Sequence, residues 1–513
     1  MSETDGPANV LVVVMDTVRK HNLSVYGYDR ETTPNLEAFA EEATVFEEAV
    51  APAPWTLPVH ASLFTGLYPS QHGATQENPY LEGATTLAES LGAAGYDTAC
   101  YSSNAWITPY TNITDGFDDQ DNFFQMMPGN FLSGALAGAW KRLNDSDRLR
   151  GVADRLVELG NTAHEFFAKG GGGDSKTPEI IDRVQSFVED ADGEWFTFIN
   201  LMDAHLPYHP PEEFAAEFAP GVDSTAVCQN SKEFNSGARD IDDAEWAEIR
   251  SLYDAEIAHI DHHLGRLFDW LEETGRWSET LVVVCADHGE LHGEHGLYGH
   301  EFCIYDPLVN VPLLVKGPGL TAERDTRVVE LQDVYHTVLD YAGVDAAAGG
   351  ESLDRARSLL SADYREFAAV EASNRARLDA HDAGDLDDVA FVDYHRPVVE
   401  LRQLESKASA AGISLDTDSR FYSRMRAARR ADAKYIRNER IPDESYRLGT
   451  DPDEETDLLA AGENDDAVAA VGTALEAYER EVGGEWDAVG DEDVLADMGD
   501  EAKDRLQDLG YIE

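Results

Sequence analysis

The sequence has little positive charge. Its 513 residues include 39 lysines and arginines against 100 aspartates and glutamates, for a formal net charge of -61. A surface this acidic repels phosphate backbones and anionic lipid headgroups, so binding to nucleic acid or to a membrane surface is disfavoured. Such a surface stays hydrated in concentrated salt, where its self-repulsion is screened. We therefore expect a halophilic protein.

Cysteine and long apolar runs are also scarce. The four cysteines form no Cys-x-x-Cys pair, and two of them, Cys100 and Cys285, lie in apolar runs typical of buried strands. Together with Cys228 and Cys303 they are expected to be reduced, packed thiols rather than disulfides or a zinc site. No apolar stretch reaches the length of a membrane span. The N-terminal apolar run follows an acidic segment that lacks the basic region of a secretory signal, so we expect a cytoplasmic protein without a membrane span.

What the sequence does contain is an alternation of short apolar runs with helical patterns. The runs NVLVVVMD, GYDTACYSS, EWFTFINLMD, TLVVVCAD and VPLLVKGPG are typical of strands buried on both faces. Helical spacing occurs in TTLAESLGAAG and from Asp254 to Trp270. The alternation predicts an α/β fold with a central, mainly parallel sheet flanked by helices. Two further runs, RMRAARRADAKYIRNE and ESYRLGTDPDEETDL, predict a small C-terminal antiparallel sheet.

These patterns divide the chain into three parts. Residues 1–375 are predicted to form a large α/β domain with a helical insertion at about 128–185, which includes the glycine run at 170–173. Residues 376–418 are acidic and alanine-rich, and we interpret them as a variable surface segment. Residues 419–513 are predicted to form a small β subdomain with a helical tail.

Candidate metal ligands follow two of the predicted strands. Asp16 ends the first strand, and Asp287 and His288 end the run TLVVVCAD. A lone carboxylate at such a place can be a helix N-cap, but an adjacent Asp-His pair is harder to explain as a cap. Open α/β sheets bind ligands at the carboxyl ends of their strands. We predict one divalent cation at these three residues, with Ca²⁺, Mn²⁺, Zn²⁺ and Mg²⁺ all open.

Three further segments carry candidate functional residues. Thr56 lies among prolines just before a helix predicted from about Val59, where backbone N–H groups favour an anion. Its hydroxyl could also be only an N-cap. His205 follows a strand and precedes a proline-rich loop, and His300 lies in a glycine- and histidine-rich loop after Asp287. Either histidine could also be an ordinary solvated loop residue.

These segments, in this order, resemble the sulfatase family of the alkaline-phosphatase-like superfamily. MDTVRKHNLSVYGY is similar to the opening metal-ligand segment of the family, and APAPWTLPVHASLFTGLYPSQHG to its signature. TLVVVCADHGELHGEHGLYGH resembles the strand and metal loop, and ADAKYIRNE with ESYRLGTDPDEETDLL the C-terminal part. The resemblance covers nearly the whole chain outside about 128–185 and 376–418. It implies an alkaline-phosphatase-like fold and a hydrolase of sulfuric or phosphoric esters.

The chain departs from the family signature in ways that bear on its substrate. Thr56 occupies the position of the Cys or Ser that sulfatases oxidise to formylglycine, so no formylglycine is expected. His60 replaces the signature Arg, His300 the Lys of the metal loop, and Asn104 lies where a Lys-x-His pair is usual. Relatives with a threonine nucleophile include phosphodiesterases and phosphoglycerol- or phosphoethanolamine-type transferases. The resemblance thus favours phosphoester cleavage or transfer over sulfate-ester cleavage.

The resemblance also assigns roles. Thr56 is expected to be the nucleophile and a further metal ligand, with His205 and His300 as proton donors to the leaving group. His60 and Asn104 are expected to donate to the nonbridging oxygens of the substrate. The expected partner is a sulfated or phosphorylated small molecule, glycan or lipid precursor. Two alternatives stay open: a sulfatase acting on a sulfated glycan or small molecule, and a non-catalytic relative that binds anionic ligands.

Overall fold

The computed structural model describes residues 9–122, 175–317, 320–347, 350–360, 388–463, 465–484 and 486. Within these residues lie fourteen strands: β1 (Asn9–Met15), β2 (Thr44–Val50), β3 (Asp97–Ser102), β4 (Asp119–Asn122), β5 (Trp195–Leu201), β6 (Thr280–Cys285), β7 (Leu291–His292), β8 (Tyr298–Gly299), β9 (Asn310–Lys316), β10 (Arg324–Glu330), β11 (Ala390–Tyr394), β12 (Met425–Arg429), β13 (Lys434–Asn438) and β14 (Glu444–Tyr446).

The same described residues contain thirteen α-helices. They are α1 (Pro34–Ala40), α2 (Thr56–Thr65), α3 (Pro69–His72), α4 (Leu87–Ala94), α5 (Thr177–Asp190), α6 (Glu212–Phe218), α7 (Ser231–Asn235), α8 (Asp243–Glu273), α9 (Asp306–Val309), α10 (Asp333–Ala342), α11 (Val398–Ala410), α12 (Leu458–Ala461) and α13 (Asp466–Tyr478). Helix α2 bears on the site because it begins at Thr56.

The main sheet has eight strands in the order β10-β2-β9-β6-β1-β5-β3-β4. All neighbouring strands are parallel except β9, which is antiparallel to both β2 and β6. Strand β1 lies between β5 and β6, and its residues 10–15 are fully buried, as expected for an apolar run covered by helices on both faces. The α/β fold with a mainly parallel sheet is therefore confirmed.

Several boundaries differ from the sequence-based predictions. Helix α5 buries Ile180, Ile181 and Val184, and it packs on β3 and β5, so it belongs to the sheet and not to an insertion. The rest of the predicted insertion, 128–174, lies outside the described residues. Helix α8 has 31 residues and begins at Asp243, eleven residues before the predicted start. Strands β2, β4 and β10 were not anticipated.

A second sheet of four antiparallel strands, β11-β12-β13-β14, forms the C-terminal part. Its first strand, Ala390–Tyr394, is buried throughout and pairs with Met425–Arg429. This strand and helix α11 both lie in the region 376–418 that the sequence suggested was a variable surface segment. The subdomain therefore begins before residue 419. The sequence did not reveal this boundary because a five-residue strand in a polar context gives too short an apolar run to recognise. Residues 376–387 and 487–513 lie outside the described residues.

All four cysteines are buried and unpaired, as predicted. Burial raises the pKa of each thiol, that of Cys303 to about 12. These thiols are packed core groups. Within the part of the chain that the structure describes, no helix is both long and apolar enough to cross a bilayer.

Candidate active site

The candidate site lies at the carboxyl ends of the neighbouring parallel strands β1, β5 and β6. Asp16 directly follows β1, and Asp287 and His288 follow β6, which pairs with β1 in register Val14 to Cys285. Strand β5 pairs with the other side of β1 and leads into the loop that carries His205. Because the carboxyl ends of parallel strands share one edge of a sheet, residues separated by up to 272 positions meet there.

Asp16, Asp287 and His288 form one compact cluster. Ligand atoms of the three side chains lie within 4.8 Å of one another, and all three residues are fully buried. The His288 Nδ1 atom is 2.9 Å from the Gly289 carbonyl oxygen. Since a carbonyl can only accept, Nδ1 carries the proton and leaves the Nε2 lone pair for a metal ion. This Nε2 atom lies 3.4 Å from Asp287 Oδ2.

One oxygen of this cluster lacks a donor. Asp287 Oδ1 accepts hydrogen bonds from the backbone N–H groups of Thr17, at 3.0 Å, and His288, at 2.9 Å. Asp287 Oδ2 is buried and has no hydrogen-bond partner among the described residues. A buried, unpaired carboxylate oxygen is costly unless a cation compensates it. The donor set of two carboxylates and one imidazole therefore fits a divalent cation.

The ionisation of the cluster also favours a cation. Burial, and next the charge of Asp16, raise the pKa of Asp287 to about 8. Burial also opposes ionisation of Asp16, but the charges of His205 and His288 and the Asn200 hydrogen bond outweigh it, so the Asp16 pKa lies below its usual value. Burial and the nearby His300 lower the pKa of His288 to about 4, which keeps its ring neutral as a ligand.

Three donors hold the Asp16 carboxylate in place. Thr17 Oγ1 donates to Oδ1 at 2.7 Å, and the amides of Asn104 and Asn200 donate to Oδ2 at 2.8 and 2.9 Å. Sequence reasoning missed Asn200. The sequence did contain a clue to it, because Asn200 is a polar residue inside the apolar strand WFTFINL, one position before the strand ends. Such hydrogen bonds orient a metal ligand and increase metal affinity.

Thr56 is the first residue of helix α2, three positions before the predicted start. Trp55 is the N-cap, and the Thr56 hydroxyl makes no capping bond. Its Oγ1 atom lies 3.4 Å from His288 Nε2 and 3.4 Å from Asn104 Nδ2, so it faces the metal cluster. The interpretation of Thr56 as an N-cap alone is therefore wrong. The N-terminus of helix α2 favours negative charge at this hydroxyl.

His60 and Asn104 are placed differently from the sequence-based expectation. His60 is fully buried, with Nδ1 2.9 Å from the Thr56 carbonyl oxygen and Nε2 3.2 Å from Asn200 Oδ1. Both ring nitrogens are thus occupied within the protein, and neither is left for a substrate oxygen. The Asn104 amide donates to Asp16 and approaches Thr56. In this structure both side chains are therefore hydrogen-bonded within the site, and their expected role as donors to the substrate stays a prediction.

His205 and His300 lie together at the less buried side of the cluster. Their ring centroids are 5.4 Å apart, and the His300 ring is 4.4 Å from that of His288. His205 Nδ1 is 2.6 Å from the Leu206 carbonyl, and His300 Nδ1 is 3.1 Å from Glu290 Oε1. Each ring therefore has Nε2 free of these bonds. The pKa of each of these histidines is lowered, mainly by burial.

Glu290 was quoted in the metal-loop motif but given no role. It is fully buried, and burial together with the charge of Glu301 raises its pKa to about 8. Its contact with His300 connects two parts of the metal loop.

Comparison with known proteins identifies the family. The model of the family described as Sulfatase matches residues 8–344, about two thirds of the chain. The protein therefore belongs to the sulfatase family of the alkaline-phosphatase-like superfamily, as the motifs predicted. It is a hydrolase of sulfuric or phosphoric esters.

Individual relatives include both chemistries. An arylsulfatase of Clostridium perfringens is 24% identical over 383 residues, which cover 67% of this chain and 77% of the relative. The multifunctional alkaline phosphatase superfamily protein PehA of Trinickia caryophylli is 27% identical over 398 residues, which cover 67% and 76%. The crystal structure of a phosphonate monoester hydrolase of Agrobacterium radiobacter superposes with a TM-score of 0.63 at 21% identity, over 92% of this chain and 96% of that one. The similarity to this hydrolase structure is a similarity of fold.

Proposed function

We propose that the protein cleaves phosphoric esters, with phosphodiesters preferred over sulfate esters, and that Thr56 is its nucleophile. The observation that carries this proposal is the Thr56 hydroxyl, uncommitted to capping and 3.4 Å from His288 Nε2. Threonine cannot form the formylglycine on which family members with Cys or Ser rely, which supports phosphorus over sulfur as the electrophile. Transfer of the phosphoryl group from Thr56 to an acceptor alcohol would follow the same chemistry, with the alcohol in place of water in the second step.

Asp16, Asp287 and His288 would hold the divalent cation, whose charge lowers the pKa of a nearby hydroxyl and polarises the ester. The Thr56 oxygen then attacks phosphorus as the bond to the leaving alcohol breaks. The proton that Thr56 loses is the one that the leaving alcohol gains, with His300 and His205 as its carriers. In the second step the oxygen of water bonds to phosphorus, the Thr56 ester bond breaks, and one proton of the water returns to Thr56.

The test is the pair Thr56→Ala and Thr56→Ser, assayed on 4-nitrophenyl sulfate, 4-nitrophenyl phosphate and bis(4-nitrophenyl) phosphate with added Mn²⁺ or Ca²⁺ in high salt. Thr56→Ala should abolish turnover and keep metal content, whereas Thr56→Ser should retain part of the activity because it keeps the hydroxyl. Thr65→Ala is the matched control, since the hydroxyl of that buried threonine of the same helix donates to the Ala61 carbonyl and accepts from the Leu67 backbone N–H.

The outcomes separate the alternatives. Faster cleavage of the sulfate than of either phosphate would favour the sulfatase alternative, which the arylsulfatase relative supports. If Thr56→Ala hydrolyses its substrate as fast as the parent, Thr56 is not the nucleophile and water attacks directly. No turnover of any substrate by the parent would favour a non-catalytic anion-binding protein.

A further inference from the structure

One buried arginine differs from all the others that the structure describes. Five buried arginines donate to a carboxylate at 2.6–3.0 Å: Arg19, Arg357, Arg424, Arg426 and Arg429. The sixth, Arg396, is only 2% exposed, and its Nε and Nη2 atoms have no hydrogen-bond partner among the described residues. Its ion-pair contact is with Glu77 Oε1, at the long distance of 3.8 Å.

Unsatisfied donors on a buried cation are expensive. Each buried N–H without an acceptor costs about 1–3 kcal/mol, and more when the group is charged. The cost is conspicuous in a chain with 100 acidic residues, where a carboxylate partner is easily supplied. Burial lowers the pKa of Arg396 while Glu77 opposes that shift, yet a guanidinium stays protonated at neutral pH. Glu77 Oε1 is also buried and without a hydrogen-bond partner among the described residues, and 3.8 Å is too long for a hydrogen bond to Arg396.

The turn that carries Arg396 contacts the metal loop. It follows strand β11, whose last residue, Tyr394, donates from its hydroxyl to the carbonyl oxygen of Glu301, the neighbour of His300. The turn at Arg396 is therefore fixed on one side to the metal loop.

The other side of the turn contacts the segment after helix α3. The Gln76 amide oxygen accepts from the Val399 backbone N–H at 2.9 Å, and its amide nitrogen donates to Glu400. Four residues earlier, His72 Nε2 lies 3.2 Å from the carbonyl oxygen of Pro58, in the first turn of the helix that begins at Thr56. The turn that carries Arg396 is thus connected to the metal loop on one side and, through the segment that runs from His72 to Gln76, to the helix of Thr56 on the other.

We propose that Arg396 binds a second anionic group of the substrate, remote from the reacting phosphorus or sulfur. This assignment rests on the proposed function and narrows it to esters that carry a further carboxylate, sulfate or phosphate. The planar guanidinium matches such groups with two parallel N–H donors. It also supplies local attraction on a protein whose net charge of -61 otherwise repels an anionic substrate.

The experiment compares two kinds of diester with the same leaving group. One is methyl 4-nitrophenyl phosphate; the others replace its methyl group by carboxyalkyl chains with one, three or five methylene groups, all at fixed ionic strength. Arg396→Gln should raise KM tenfold or more for at least one carboxylated diester, equal to about 1.4 kcal/mol, with kcat unchanged. KM for the methyl diester should stay unchanged.

Two further variants test the assignment. Arg396→Lys keeps the charge and should keep part of the discrimination, whereas Glu77→Gln removes the competing carboxylate and should lower KM for the carboxylated diester. Equal changes for charged and neutral substrates in Arg396→Gln, or no change for any of them, would show that Arg396 is only structural and overturn the assignment.

Failure of the proposed function is detected separately. Calorimetric titration of the Thr56→Ala protein, which keeps Arg396, with the same diesters measures binding without turnover. Tighter binding of a carboxylated diester than of the methyl diester supports the anion site even if Thr56 is not the nucleophile. Equal binding of charged and neutral diesters in that protein overturns it.

Discussion

Removal of divalent metal should make the stability of this protein fall as the pH rises from about 5 to 8. The pKa of Asp287 is raised to about 8 in the folded protein from an ordinary 3.8, because the carboxyl is buried beside Asp16. Over this interval the folded state keeps a proton that the unfolded chain has already released. Stability therefore decreases with pH, by about 1.4 kcal/mol per pH unit from this group.

The matched variant is Asp287→Asn, which keeps the side-chain shape and cannot ionise. Across about four pH units the shift corresponds to about 5 kcal/mol, so the difference in unfolding free energy between parent and variant should widen steadily between pH 5 and 8. Glu290, whose pKa is also raised to about 8, is present in both proteins and cancels from the difference. Urea unfolding followed by circular dichroism, with EDTA and constant KCl, gives both curves.

Added metal should restore the stability that the parent loses as the pH rises, and it should have little effect on Asp287→Asn. A cation at one hundred times its dissociation constant stabilises the folded state by about 2.7 kcal/mol, and Asp287→Asn should lose most of that gain. If the two unfolding free energies run parallel from pH 5 to 8, Asp287 does not keep a proton in the metal-free folded protein and the electrostatic account of this site is wrong.

Two further predictions concern the surface and the support of the site. The net charge of -61 makes acidic residues repel one another, and salt screens this repulsion because the Debye length shrinks from about 30 Å at 0.01 M to about 3 Å at 1 M. The melting temperature should therefore climb steeply with KCl. A melting temperature that does not change with salt would refute the halophilic interpretation. Asn200→Ala removes a donor to Asp16 and a contact of His60, so metal affinity measured by calorimetry should drop by about tenfold or more. Unchanged affinity would mean that Asn200 does not orient the ligand.

Strands were predictable where burial on both faces leaves a continuous apolar run, as in β1, β5 and β6. Strand β2 was missed because its middle holds Glu47 and Glu48. Each carboxylate has a partner far along the chain, Arg324 for Glu47 and Arg429 at 2.7 Å for Glu48. Such pairs neutralise the charge of carboxylates on a strand, and no local pattern in the sequence reveals them.

The sequence by itself determined the chemistry of the candidate site, because Asp16, Asp287 and His288 follow apolar runs and a parallel sheet brings such ends together. Only the tertiary structure decided how these residues are used. Asn104 and Asn200, 88 and 184 residues from Asp16, fix its carboxylate, and His60 faces inward to Asn200. A hydrogen bond depends on distance and direction between side chains, and residue order along the chain specifies neither until the sheet has formed.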